Sequence, residues 1–137
     1  MSLTRIFEIS SSAISAQSQR LNVVASNLAN AESVAGPDGQ PYKARQVVFT
    51  ARQPQRTDAT AGVKVTGIVE DNAPGKRVHD PKHPMADAEG YVTQSNVNAV
   101  EEMVNMISAS RSYQNSIEVM NTARSLLQKT LQMGQQT

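Results

Sequence analysis

The chain has 137 residues, 13 Lys and Arg against 12 Asp and Glu, a net charge of +1, 39% apolar residues and no Cys or Trp. So even a balance gives no reason to expect nucleic acid or an anionic membrane surface as the main partner, and without Cys there are no disulfides and no thiolate-held metals. Large rings are limited to Phe7, Phe49, Tyr42, Tyr91 and Tyr113, too few for a thick self-contained core.

Composition divides the chain into three zones. Residues 1–34 contain no Gly or Pro and carry only Arg5, Glu8, Arg20 and Glu32 as charges; residues 35–96 hold all six prolines and six of the seven glycines. Residues 97–137 are free of both until Gly134. The expected fold is mainly α: long N- and C-terminal helices packing as a coiled coil, with a small irregular β and loop segment between them. Glu8 falls where the apolar core of a cleaved leader would begin, so none is expected. The apolar runs are too short for a membrane span.

In the first zone Phe7, Ile14, Leu21 and Leu28 recur every seven residues. Leu3, Val24 and Ala31 partly fill the matching second position, which Ser10 and Gln17 break. One residue round the helix lies a second stripe, Ile6, Ile9, Ala13, Ala16 and Val23. Two apolar faces on one helix imply more than one neighbour. The polar positions are mostly neutral Ser, Asn and Gln, which desolvate at lower cost than Lys or Glu.

The middle zone reads as strands at Gln46–Thr50 and from Val63 to Val69, the latter interrupted by Gly67. Gly36-Pro37-Asp38-Gly39 and Ala73-Pro74-Gly75 signal turns. The best metal candidate is His79 with His83, near Asp80 and Asp87. Pro81 between them and Pro84 after them prevent the regular helix that would present both rings together. The expectation is therefore a proline-stiffened surface segment and no metal. Lys43, Arg45, Arg52 and Arg56 form a loose basic stretch with few stacking rings, which does not make a nucleic-acid site.

The last zone opens with Asn98 as a helix cap and Glu101 placed for a capping box. Met103, Met106, Tyr113, Ile117, Met120, Leu127 and Leu131 then form an apolar face with mostly 3-4 spacing, widened early by Val100, Val104 and Ile107. Gly134 is expected to end the helix in a left-handed conformation. Glu101 and Glu102 suit a helix start and need no catalytic explanation. There is no G-x-S-x-G elbow and no phosphate loop. The expectation is no enzyme, no cofactor and no small-molecule substrate. Two rival classes are a secreted or periplasmic helical adaptor and a small metal-dependent hydrolase using His83.

Ala25-Ser26-Asn27-Leu28-Ala29-Asn30 resembles the Asn-x-Ala-Asn signature of bacterial flagellar axial proteins, the rod, hook and hook-associated subunits. Pro41-Tyr42-Lys43-Ala44-Arg45, Asp80-Pro81-Lys82-His83-Pro84-Met85 and Ser95-Asn96-Val97-Asn98 are similar to the proximal-rod type, and the likeness runs along nearly the whole chain. Ser33 departs from the Thr more usual in the wider family. The resemblance implies a subunit exported without a cleaved signal peptide and assembled in the periplasm into the rod of the basal body. It implies terminal helices forming an inner layer around the export channel. The implied partners are copies of itself, other rod subunits, the ring-rod adaptor and export-gate proteins, with no direct membrane insertion. The residues expected to make the assembly interface are Ile6, Phe7, Ile14, Leu21, Val24, Asn27, Leu28 and Asn30 in the first helix. In the last they are Met103, Met106, Ile107, Tyr113, Ile117, Met120, Leu127 and Leu131. A charge at Leu21 or Ile117 is expected to block incorporation.

Overall fold

A computed structural model describes residues 2–52 and 61–136; Arg56 of the basic stretch lies outside them. Helix α1 runs Leu3–Ala29. Ser2 caps it, its hydroxyl accepting from the Arg5 N–H at 3.4 Å. The helix ends at Asn30, whose side chain donates to the Ser26 carbonyl at 2.9 Å. All nine positions of the series Leu3, Phe7, Ser10, Ile14, Gln17, Leu21, Val24, Leu28 and Ala31 are buried or half-buried. Ser10 and Gln17, the two breaks in the apolar pattern, thus lie on the covered face. Ser10 is buried, and the Gln17 Oε1 is shut away from water without a hydrogen-bond partner.

Strands β1 (Arg45–Arg52) and β2 (Gly62–Glu70) pair antiparallel, with Val47 opposite Ile68 and Phe49 opposite Val65. The register shifts between Val48 and Phe49, and Thr66 is the extra residue. Gly67 therefore sits beside a bulge and does not interrupt the strand. This ribbon lies against α1: the Val63 N–H donates to the Ser12 hydroxyl at 3.0 Å. Val23 and Val24 share with Val47 and Phe49 a hollow of about 340 Å³. Part of the second α1 face, which the sequence assigns to another molecule, is covered by this chain's own ribbon.

Strands β3 (Lys76–His79) and β4 (Tyr91–Gln94) form a second antiparallel ribbon that sequence patterning does not reveal. Gly75 precedes it because a Cβ there would collide with the Gln94 carbonyl oxygen. Gly90, at φ 83°, turns the chain into β4.

Helix α2 runs Ala99–Gln135, roughly 55 Å against roughly 40 Å for α1. Asn98 caps it, its Oδ1 accepting from the Val100 and Glu101 N–H groups at 3.2 and 3.3 Å. Gly134 does not end it: the residue lies inside the helix, and positive φ occurs among the described residues only at Gly39 and Gly90. With the last turns exposed, no packed neighbour forces the chain to reverse there.

The two helices pack antiparallel. Asn27, near the end of α1, meets Glu102, near the start of α2, and Ile6 shares a hollow with Ala123 and Leu126. The α2 series Glu102, Met106, Ala109, Tyr113, Ser116, Met120, Ala123 and Leu127 is buried or half-buried throughout, and Ala99, Asn105, Ser110, Ser112 and Ile117 beside it are half-buried as well. From Gln128 to Gln136 every residue is exposed, so α2 runs on past the start of α1.

Candidate assembly interface

Asn27 is fully buried where α1, β1 and α2 converge. Its Nδ2 donates to the Arg45 carbonyl at 2.8 Å and to Glu102 Oε2 at 3.1 Å. Its Oδ1 accepts from the Arg45 N–H and from the Tyr42 hydroxyl, both at 3.0 Å. Both donors and both lone pairs of the amide are used, the full capacity of an Asn side chain. No Asp, Gln or Leu offers two donors and two acceptors in this space.

Glu102 is 6% exposed. Besides Asn27 it accepts from the Asn105 Nδ2 at 3.3 Å. Its place in the first turn of α2 adds the favourable end of the helix dipole. Tyr42 is held against this cluster, and burial pushes its phenol up; neighbouring Arg45 opposes the shift, while Glu102 and Glu70 add to it. Arg45 in turn pairs with Glu70 at 3.2 Å and lies over the Tyr42 ring.

A second set of ties fixes the loops. The fully buried Ser95 donates its hydroxyl to the Ala31 carbonyl at 2.7 Å. Asn96 accepts from the Ala44 N–H at 2.7 Å and donates to the Asp71 and Ala73 carbonyls, both at 2.9 Å. These bonds join the exit of α1, the entry to β1 and the approach to α2. They tie the loops to the ends of both helices.

The His79 and His83 segment is organised by backbone bonds. His79 meets the Tyr91 ring edge-on at 4.9 Å, and the His83 Nδ1 accepts from the Met85 N–H at 3.0 Å. Asp87 closes the loop: its Oδ1 accepts from the Glu89 and Tyr91 N–H groups, and its Oδ2 pairs with Arg77 at 2.7 Å. The bond from Tyr91 leads in drawing the Asp87 carboxyl below its ordinary range. Among the described residues no group of three or more His, Asp or Glu could hold a metal ion. No described helix is long and apolar enough to cross a membrane.

The residues expected at an interface separate into two sets. Val24 and Asn27 are buried within the chain. Ile6, Phe7, Ile14, Leu21, Leu28, Asn30, Met106, Tyr113, Ile117, Met120 and Leu127 are half-buried there. A charge at Leu21 or Ile117 therefore strikes the fold as well as any contact between molecules. Met103, Ile107 and Leu131 stay exposed, together with Val100, Val104, Val119, Leu126 and Met133. Val119, Leu126 and Met133 recur every seven residues, a spacing visible in the sequence but masked there by the stronger adjacent stripe.

Comparison with known proteins bears on what these faces serve. Residues 7–37 match the family described as "Flagella basal body rod protein", and residues 88–133 match "Flagellar basal body rod FlgEFG protein C-terminal". The chain is 60% identical over 136 residues to the flagellar basal-body rod protein FlgC of Yersinia enterocolitica. It is 58% identical over 135 residues to those of Escherichia coli O157:H7 and Salmonella typhimurium strain LT2. Each alignment covers 98% of this chain and 100% of the relative.

Proposed function

This chain belongs to the FlgC family of flagellar basal-body rod proteins, and from that premise we propose that it joins the rod through the apolar faces its terminal helices leave uncovered. It is a structural subunit of the flagellar basal-body rod and not an enzyme. The finer assignment is to the proximal rod, in the periplasm, reached by export without a cleaved signal peptide. There the helix pair forms a coiled-coil layer of a tube that surrounds the export channel and transmits torque. Its neighbours in this reading are copies of itself, other rod subunits, the ring-rod adaptor and the export gate.

One observation carries the reading: α2 leaves eight large apolar side chains exposed along its length, among them Val100, Val104, Val119, Leu126 and Met133. Apolar surface of that extent on a small chain marks a contact with another protein. A heterologous contact repeated with a rise gives a helical filament. The buried bonds at Asn27 and Ser95, with those of the half-buried Asn96, supply the rigidity that torque demands.

Val104→Asp tests this better than a change at Leu21 or Ile117, because Val104 is exposed and its loss leaves the helix pair intact. The expected outcome is a chain with an unaltered circular dichroism spectrum that is missing from isolated rods and does not restore swimming to cells lacking the native subunit. Normal rods containing the variant at native abundance contradict the reading.

A further inference from the structure

The β1–β2 ribbon is fastened to α1 at two places that differ in strength. At its base the Asn27 amide bonds both the N–H and the carbonyl of Arg45, at 3.0 and 2.8 Å, in a site closed to water. Beside it the Ala44 N–H donates to the Asn96 side chain at 2.7 Å, and the Ala44 carbonyl accepts from the Asp71 N–H at 2.8 Å. At the far end, among the described residues, one hydrogen bond joins ribbon and helix: the Val63 N–H donates to the Ser12 hydroxyl at 3.0 Å. Ser12 and Asn27 stand 15 residues apart, roughly 22 Å along α1. Arg45 and Ala51, the residue opposite Val63, stand roughly 20 Å apart along β1. The strand therefore lies along the helix and reaches both fastenings.

The far fastening is made by close approach. The Ser12 hydroxyl donates to the Ile9 carbonyl at 2.7 Å, which leaves its oxygen to accept from the strand. Gly62 lets the strand come this near: a Cβ there would stand 2.8 Å from the Ser12 oxygen. Around this point the packing is loose. A hollow of about 580 Å³, lined by Ser12, Ser15, Ala16, Gln19, Arg52 and Lys64 among others, lies between helix and ribbon. The extra residue of the bulge, Thr66, falls between the two fastenings, where a strand bends.

We propose that the outer half of the ribbon, residues 49–52 with 62–65, is a strap latched to α1 by the Ser12 hydroxyl, and that it opens about the Thr66 bulge while the base stays bonded to Asn27. Opening breaks one half-buried hydrogen bond beside a hollow. Freeing the base breaks the four bonds of a buried amide. The two ends of one ribbon therefore open at different free energies. Ala16, 3% exposed and part of the second apolar stripe of α1, lines the hollow under the strap. The latch thus sets whether that part of the stripe is covered. The inference concerns the chain by itself, so its failure leaves the rod-subunit reading untouched.

The first measurement is hydrogen exchange on the full, unsubstituted chain, comparing the Val63 and Arg45 amides, both of which donate to α1 side chains. The Val63 amide is expected to exchange at least about tenfold faster. The second uses pairs of spin labels on introduced cysteines, which are unambiguous in a chain that has none of its own. Labels at Gln19 and Lys64 span the latch, labels at Ser26 and Gln46 span the base, and all four positions are exposed. Gly62→Ala, whose Cβ presses on the Ser12 oxygen, is expected to add a longer distance to the first pair and to leave the second pair unchanged. Equal exchange at the two amides overturns the strap. So does an unchanged distance between Gln19 and Lys64 in Gly62→Ala, or a shift of both pairs together. Should Gly62→Ala fail to fold, the exchange comparison on the unsubstituted chain decides alone.

Discussion

The Asn27 Nδ2 donates to Glu102 Oε2 at 3.1 Å, across 75 positions of sequence. The bond joins the last turn of α1 to the first turn of α2. It places an amide dipole against a buried carboxylate that, among the described residues, has no cation bonded to it, and the rest of the amide ties the same point to β1 and Tyr42. One side chain therefore sets the height of α1 against α2 and the place where the ribbon leaves the helix pair.

Replacing Asn27 with Ala leaves the Glu102 carboxylate, the Arg45 backbone and the Tyr42 hydroxyl without their partner in a site closed to water. A loss of about 3 kcal/mol is expected, read from urea unfolding followed by circular dichroism. Asn27→Asp should be as damaging at pH 7, because it sets a second carboxylate against Glu102. It should recover in part near pH 4, where one of the pair takes up a proton. Equal stability of Asn27→Asp at both pH values would show that the two groups do not meet.

Tyr42 gives a dependence at the other end of the pH scale. Its phenol is raised in the folded chain, first by burial, and only its protonated form can donate to Asn27 Oδ1. The contribution is complete below the ordinary tyrosine value of about 10. It is lost as the pH rises through the folded value above it. Tyr42→Phe should cost about 1 kcal/mol at pH 7 and flatten the alkaline limb of a stability profile. An alkaline limb unchanged by the substitution would assign that titration elsewhere.

Gln17 predicts a gain. Its Oε1 is buried without a partner on the face that meets the rest of the fold, a position the seven-residue pattern would give to an apolar group. Gln17→Leu removes the desolvated acceptor and is expected to stabilise the isolated chain by about 1 kcal/mol. Thermal unfolding decides it, and a lower midpoint for the variant would mean that the amide is bonded in solution.

Asp87 predicts local behaviour at low pH. Its carboxyl is lowered, chiefly by the Tyr91 N–H and also by the Glu89 N–H and Arg77. The order it lends the Asp80–Gly90 loop is therefore present above the ordinary Asp value of about 3.9. It is lost as the pH falls through the folded value below that. Asp87→Ala should speed hydrogen exchange at the Glu89 and Tyr91 amides at neutral pH without changing exchange in α1. Unchanged exchange at both amides would remove Asp87 as the closure of the loop.

Much of this molecule can be read along the chain. The seven-residue recurrence of Phe7, Ile14, Leu21 and Leu28 requires a long helix with one face covered, and Asn98 before Ala99 starts another. The crowding of Pro and Gly between them rules out a third. Those are local properties: periodicity, capping and the absence of a donor on proline act over a few residues. The order of motifs from Asn27 to Tyr113 was likewise enough to point to the rod family.

The fold alone decides how the pieces meet. Ser10 and Gln17 look like breaks in a seam until α1 is seen with both of them on its covered side. Asn27 looks like one more neutral polar residue on a helix surface, and its four bonds exist only because Tyr42, Arg45 and Glu102 are brought to it from elsewhere. The β3–β4 ribbon has four residues to a strand, β3 exposed throughout and β4 covered at three successive positions, so neither leaves an alternating pattern. Which half of each apolar face stays bare depends on where the chain's own ribbon and partner helix lie. Spacing shows that a side must be buried, and only the packing of distant segments shows against what.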